Sequence, residues 1–131
     1  MVVDDNPYFL NAARCLLAHQ DIAVVGVARN SDQALRLAEQ LRPDVALVDI
    51  DLGVESGLEL AGRMQRETGP TPLSVILISS HAEEEYADLI EASPAVGFLC
   101  KTLLSGDAVR TLLAGVDDGH RDDPVNGPPG R

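Results

Sequence analysis

Between Ser74 and Ser79 the chain reads Ser-Val-Ile-Leu-Ile-Ser, with no polar side chain inside the run. Bounded by serines and this short, it reads as a strand covered on both faces, and a strand of that kind belongs in a parallel sheet with helices on either side. Four further runs have the same character. They are Val2-Val3, Ile22 to Ala28, Val45 to Val48 running into Asp49, and Val96 to Leu99.

Helical patterns fill the gaps. Asn6-Pro7 reads as an N-cap followed by proline at the first helical position, opening a helix to His19. Leu10, Ala13, Arg14 and Leu17 recur at helical spacing, and Ala12, Cys15 and Leu16 broaden the apolar face. Ser31 is expected to cap a second helix with Ala34, Leu35, Leu37, Ala38 and Leu41 as apolar positions, and Pro43 ends it. Ser56 is expected to cap a third, carrying Leu58, Leu60, Ala61 and Met64 and closed by Gly69-Pro70. A fourth is expected from Glu83 to Ala92, and a fifth from Ser105 or Gly106 with Val109, Leu112 and Leu113 on one side. The pattern is α/β, a (βα)5 frame with crossovers long enough for parallel pairing. Residues 1–115 are expected to fold as one domain. Residues 116–131 are almost devoid of apolar side chains and are expected to be a disordered tail or the start of a linker.

With 131 residues, 45% hydrophobic and 24% charged, the chain has the composition of one soluble globular domain. Its formal net charge of −11 argues against binding nucleic acid by this chain itself, since a duplex surface demands a positive patch. No apolar run approaches the roughly 18 residues of a membrane span, and Met1 is followed by no basic leader. No membrane association and a cytoplasmic location are expected. Cys15 and Cys100 lie far apart without metal-site spacing, and both are expected to be buried, reduced thiols.

Polar residues collect at the carboxyl ends of the expected strands. Asp4 and Asp5 follow the first, Asp49 ends the third, Ser79 and Ser80 end the fourth, and Lys101 lies just past the fifth. Ligands of open parallel sheets bind at that edge. Converging carboxylates repel one another, and a hard divalent cation such as Mg2+ relieves the repulsion through oxygen ligands. A lysine beside them supplies the opposite charge, and a serine hydroxyl can donate to a phosphoryl oxygen. Such a group suits an aspartate that is itself the nucleophile and becomes an acyl phosphate. No Gly-x-Gly-x-x-Gly, P-loop or Gly-x-Ser-x-Gly pattern occurs, so nucleotide-binding and serine-hydrolase readings lack their main signatures.

On these residues the chain resembles the receiver domains of bacterial two-component response regulators, most of all those that precede a LuxR-type helix-turn-helix. The resemblance runs from Val2 to about Ala114. It rests on the pair Asp4-Asp5, on Asp49, on Ser79 with the small Ser80, on Phe98 and on Lys101. It implies a flavodoxin-like doubly wound fold with a five-stranded parallel sheet in the order 2-1-3-4-5, and phosphorylation on Asp49 by a sensor histidine kinase. It implies Mg2+ (or Mn2+) held by Asp5, Asp49 and the backbone carbonyl of Asp51, with Asp4 acting mainly through water. Lys101 would pair with the phosphoryl group and Ser79 would donate to it. Ser79 and Phe98 would form the switch that alters the face of the fourth helix, fifth strand and fifth helix. Asp51 and His81 fall where relatives tune hydrolysis of the acyl phosphate. A phosphorylation-dependent homodimer is a further expectation, and any control of transcription would belong to a DNA-binding domain outside these residues.

Two departures stand out. Gly53 occupies the position four residues after Asp49 where proline is common, and the proline that shapes the loop at the family lysine is missing, with Cys100 beside Lys101. The first strand also starts almost at Met1, so either that strand is trimmed or the start was assigned late. A receiver that works by protein contact without phosphorylation, and a small enzyme using Asp49 as a nucleophile on a metabolite, are the alternatives.

Overall fold

The computed structural model of the chain describes residues 1–67, 73–81 and 85–121. Five strands form one parallel sheet. They are β1 (Val2–Val3), β2 (Val27–Ala28), β3 (Val45–Asp49), β4 (Ser74–Ser79) and β5 (Gly97–Cys100). Their spatial order is β2-β1-β3-β4-β5, as expected. The chain leaves β1 toward one edge and returns to the other side of it at β3, so the crevice between the ends of β1 and β3 is the point where strand order reverses.

Five helices cover the two faces: α1 (Pro7–His19), α2 (Ser31–Leu41), α3 (Gly57–Glu67), α4 (Ala87–Ala92) and α5 (Gly106–Arg121). Side chains of successive residues leave a strand on opposite sides, and the core divides accordingly. Ala46, Val48, Val75 and Leu77 join Leu60, Ala61 and Met64 on one face, with Tyr86, Ile90 and Phe98 packed against them. Leu47, Ile76 and Ile78 join Leu10, Ala13, Leu17 and Val109 on the other, where Phe9 and Leu99 pack. The unbroken apolar run of β4 is therefore needed at every position.

Several elements differ from their sequence expectation. The strand expected over Ile22 to Ala28 is paired only at Val27–Ala28, because this edge strand ladders onto β1 alone and β1 offers two residues. Ile22 to Gly26 still alternates between half-buried and exposed where the chain nears that edge, with Val25 among the exposed positions at 53%. The N-cap of α2 is Asn30, whose side chain accepts from Gln33 N; Ser31 is the first helical residue. Ser56 does accept from Glu59 N, yet it first pairs with Asp51 in a short antiparallel ribbon of Asp51–Leu52 and Glu55–Ser56. Cys15 is exposed and Cys100 half-buried; both are free thiols, and Cys15 misses the core because α1 buries the narrower stripe of Leu10, Ala13 and Leu17. Helix α5 continues through Arg121, beyond the compositional break after Gly115. A helix already nucleated needs no apolar face to run on. The expected stop at Gly69-Pro70, the expected start at Glu83 and residues 122–131 lie outside the described residues. Among the described residues no helix is long and apolar enough to cross a membrane.

Helix α1 is fastened to α5 at one end. Gln20, the C-cap of α1, accepts the backbone N–H of Gly106 on its side-chain oxygen and a guanidinium N–H of Arg110 on its carbonyl.

Two glycines shape the loop after β3. Gly53 has φ +67 at the first central position of the ribbon's two-residue turn. Proline, fixed near φ −65, cannot take that conformation, which accounts for the first departure noted above. Gly57 opens α3 beneath β3, and a Cβ there would lie 1.8 Å from the carbonyl oxygen of Asp49. Gly57→Ala is expected to cost more than about 3 kcal/mol in urea unfolding, since the clash is with backbone. Gly115→Ala in α5, where a Cβ meets nothing within 4 Å, is expected to gain up to about 1 kcal/mol. Equal urea midpoints for Gly57→Ala and the parent chain would rule out the contact between α3 and β3.

Candidate functional site

The carboxyl ends of β1 and β3 carry the acidic residues because both strands stop where the sheet stops. Asp4 follows β1, with its backbone N–H still bonded to Ala28 O, and is wholly buried. Its Oδ1 accepts the backbone N–H of Asn6 at 2.8 Å. Asn6 in turn caps α1, its Oδ1 taking the N–H groups of Tyr8 at 2.9 Å and Phe9 at 3.4 Å. Asp49, the last residue of β3, is 4% exposed and accepts Asp51 N at 3.1 Å. Asp5 is exposed. One carboxylate oxygen each from Asp4, Asp5 and Asp49 lie within 4.8 Å of one another.

Lys101 closes the group from the end of β5, at the start of a 3-10 turn over Lys101–Leu103. Its Nζ stands 2.5 Å from Asp4 Oδ2 and 3.0 Å from Asp49 Oδ2. Among the described residues Asp4 Oδ2 has no other polar partner, so this ammonium is its neutralising contact. On a third side the ammonium lies over the ring of Phe9, 4.6 Å from the centroid.

Burial pushes the Asp49 carboxyl up to about 6; the hydrogen bond from Lys101 works against the rise and the charge of Asp4 adds to it. Burial alone would lower the Lys101 ammonium, but its bonds to Asp4 and Asp49 outweigh that and raise it. Three carboxylates gather here, the ammonium pairs with two of them, and the oxygens of the cluster are hard donors. That set fits a divalent cation of the Mg2+ or Mn2+ type.

The other residues singled out in the sequence lie around this centre. Ser79, 1% exposed at the end of β4, accepts His81 N on its Oγ at 3.0 Å. In register Asp49 lies opposite Ile78, and Ser79 opposite Cys100. Asp51 is exposed and outside the three-carboxylate cluster; its Oδ2 accepts the Tyr86 hydroxyl at 3.2 Å. His81 is exposed, its Nδ1 3.7 Å from Glu85 Oε2 and its ring edge-on to Tyr86 at 6.2 Å between centroids. Phe98 is half-buried in the cluster that holds α3, away from the acidic group. Phe9 and Tyr86 were not among the sequence candidates. Phe9 sits in the first turn of the helix that follows the acidic pair, a placement that was readable. Tyr86 meets Asp51 across 35 positions, which no local pattern signals.

Comparison with known proteins places the chain in a family. The family model for the response regulator receiver domain matches residues 1–113. The nitrate/nitrite response regulator protein NarL of Escherichia coli is 30% identical over 113 residues, 86% of this chain and 51% of that protein. A protein-glutamate methylesterase/protein-glutamine glutaminase of Bacillus licheniformis is 35% identical over 104 residues, 77% of this chain but 28% of the enzyme. The chain thus spans about half or less of the length of these relatives. Among solved structures, the receiver domain of the NarL response regulator from Mycobacterium tuberculosis superposes with a TM-score of 0.74 at 30% identity, covering 88% of this chain and 93% of that one. Fold, sequence and family model converge, and the chain belongs to the response regulator receiver domain family, whose members act in two-component phosphorelay signalling.

Proposed function

We propose that Asp49 accepts a phosphoryl group from a sensor histidine kinase, with Mg2+ (or Mn2+) bound by Asp5, Asp49 and the Asp51 carbonyl and assisted by Asp4. The observation that carries this reading is the buried Asp49 carboxylate at a strand end, held 3.0 Å from an ammonium and within 4.8 Å of two more carboxylates. An oxygen of Asp49 attacks phosphorus, the P–N bond of the phosphohistidine breaks, and the imidazole leaves with its electron pair while an acyl phosphate forms. When bound, the cation neutralises charge on the phosphoryl oxygens. Lys101 moves from the consumed carboxylate to the new phosphoryl oxygens, and the buried Ser79 hydroxyl turns to donate to them. The bond that the His81 N–H donates to Ser79 Oγ is then rearranged, and the loop leading into α4 is biased to a second position, with Phe98 following. Asp51 and His81 stand where they adjust attack of water on the acyl phosphate.

In this reading the chain is a cytoplasmic signalling module rather than a metabolic enzyme. Its partners are the kinase, a second copy after phosphorylation, and an output domain. Transcriptional output through a further domain is favoured by the likeness to the positive transcription regulator BvgA of Bordetella pertussis, 29% identical over 101 residues, and the methylesterase relative shows that receiver-like sequences also occur joined to enzymes.

Incubation with acetyl phosphate and Mg2+ is expected to add the mass of one phosphoryl group, labile to hydroxylamine and absent from Asp49→Asn. A folded chain that takes no phosphoryl group from acetyl phosphate or a phosphorylated kinase, and binds no Mg2+, would instead be a contact-only receiver. Acidification supplies a second check. Because the folded carboxyl of Asp49 titrates near 6, above its ordinary 3.8, the metal-free fold holds a proton there that the unfolded chain releases. This group's stabilising share is present at low pH and is lost as pH rises through about 6. Mg2+ must displace that proton, so Mg2+ affinity in a calorimetric titration is expected to fall roughly tenfold for each pH unit below about 6. An affinity independent of pH between 7 and 5, taken as roughly the titration range, would remove Asp49 from the ligand set.

A further inference from the structure

We propose that Phe9 is a positioning residue for phosphoryl transfer, its ring face fixing the Lys101 ammonium beside Asp49; this rests on the phosphoacceptor reading above. Lysine has a four-carbon stem with much rotamer freedom, and a reaction that needs its charge at one point gains when that freedom is removed beforehand. Three contacts hold the ammonium: Asp4 at 2.5 Å, Asp49 at 3.0 Å and the Phe9 ring at 4.6 Å from the centroid. The Asp49 contact is consumed when its oxygen bonds phosphorus. The ring contact is untouched by that step, because the ring is neither charged nor titratable and attracts a cation through its quadrupole alone.

The backbone of Phe9 is itself held. Asn6, whose N–H bonds Asp4, accepts the Phe9 N–H on its side chain, so the residue that pairs with Lys101 and the residue that underlies it are linked through one cap. The rest of the ring packs against the core of α1, β1 and α5, which keeps its face toward the lysine. A leucine would serve that packing nearly as well; it would not attract the ammonium.

The test is a series at position 9 in the full chain: Phe9→Leu, Phe9→Tyr, and phenylalanines carrying one, two and three ring fluorines, which weaken the quadrupole with little change of shape. The rate of phosphorylation by acetyl phosphate at saturating Mg2+ is expected to fall about fivefold in Phe9→Leu. It is expected to fall stepwise with fluorine count and to return to within about twofold of the parent in Phe9→Tyr. In a Lys101→Met background the fluorine series is expected to be flat. A flat series with Lys101 present, or the same slope in both backgrounds, overturns the proposal. Urea unfolding of Phe9→Leu, Lys101→Met and the double variant reads the contact without any phosphate. Additive effects there overturn the contact itself. Coupled effects in a chain that never accepts phosphate overturn the function, and the positioning role with it.

Discussion

Two buried carboxylates repel each other, and each resists losing its water, so Asp4 and Asp49 are tenable together only with the ammonium that faces both. That requirement ties three separate parts of the chain. β1 delivers Asp4, β3 delivers Asp49 beside it, and β5, two strands further on, delivers Lys101 from a 3-10 turn. None of the three reaches the others by local structure. The parallel sheet brings them together, and its apolar runs leave polar side chains no place except the strand ends. The core and the site are consequently one design, since strands dry on both faces force chemistry to the edge where the chain changes direction.

Much of this was legible before any coordinates. The apolar runs of β3 and β4 announce their double burial, and Asp49 and Ser79, which end them, fall with Asp4, Asp5 and Lys101 at the edge where such sheets bind ligands. Asn6-Pro7 marked the start of α1 to the residue. The family resemblance then assigned roles that spacing by itself does not carry. What stayed hidden depends on partners distant in sequence. The pattern over Ile22 to Ala28 is that of a strand, but pairing needs a neighbour, and β1 supplies one only at Val27–Ala28. Cys15 lies next to apolar positions on α1, yet the stripe that meets the sheet is narrower than the apolar composition of the helix. Gly53 looked like a departure from a common proline, and its positive φ could only be seen in the turn it makes. Tyr86 on Asp51 is a contact between two loops, for which a one-dimensional pattern has no expression.

The Asp49 carboxyl also illustrates why burial and function meet at this edge. A group held near 6 by desolvation is poorly solvated when ionised, and an ion lacking its water is a better nucleophile than one that keeps it. The lysine moderates this without abolishing it. The same burial that makes the ionised residue costly to the fold leaves it ready for reaction once a cation or a phosphoryl group arrives.

The clamp of Gln20 on Gly106 and Arg110 makes the two faces of the sheet mechanically unequal. Helices α1 and α5 are joined at that corner and share a core with β1 and β4, so they respond to a push as a single plate. Helix α4 is six residues long, fully buries none of its side chains, and begins at a residue whose side chain makes no capping bond. Among the described residues its ties to the acidic edge are the Tyr86 hydroxyl on Asp51 and the contacts of Glu85 and Tyr86 with His81, all at the surface. Were a displacement to arise among Asp49, Ser79 and Lys101, the short and shallowly buried α4 would yield to it more easily than the joined pair of α1 and α5.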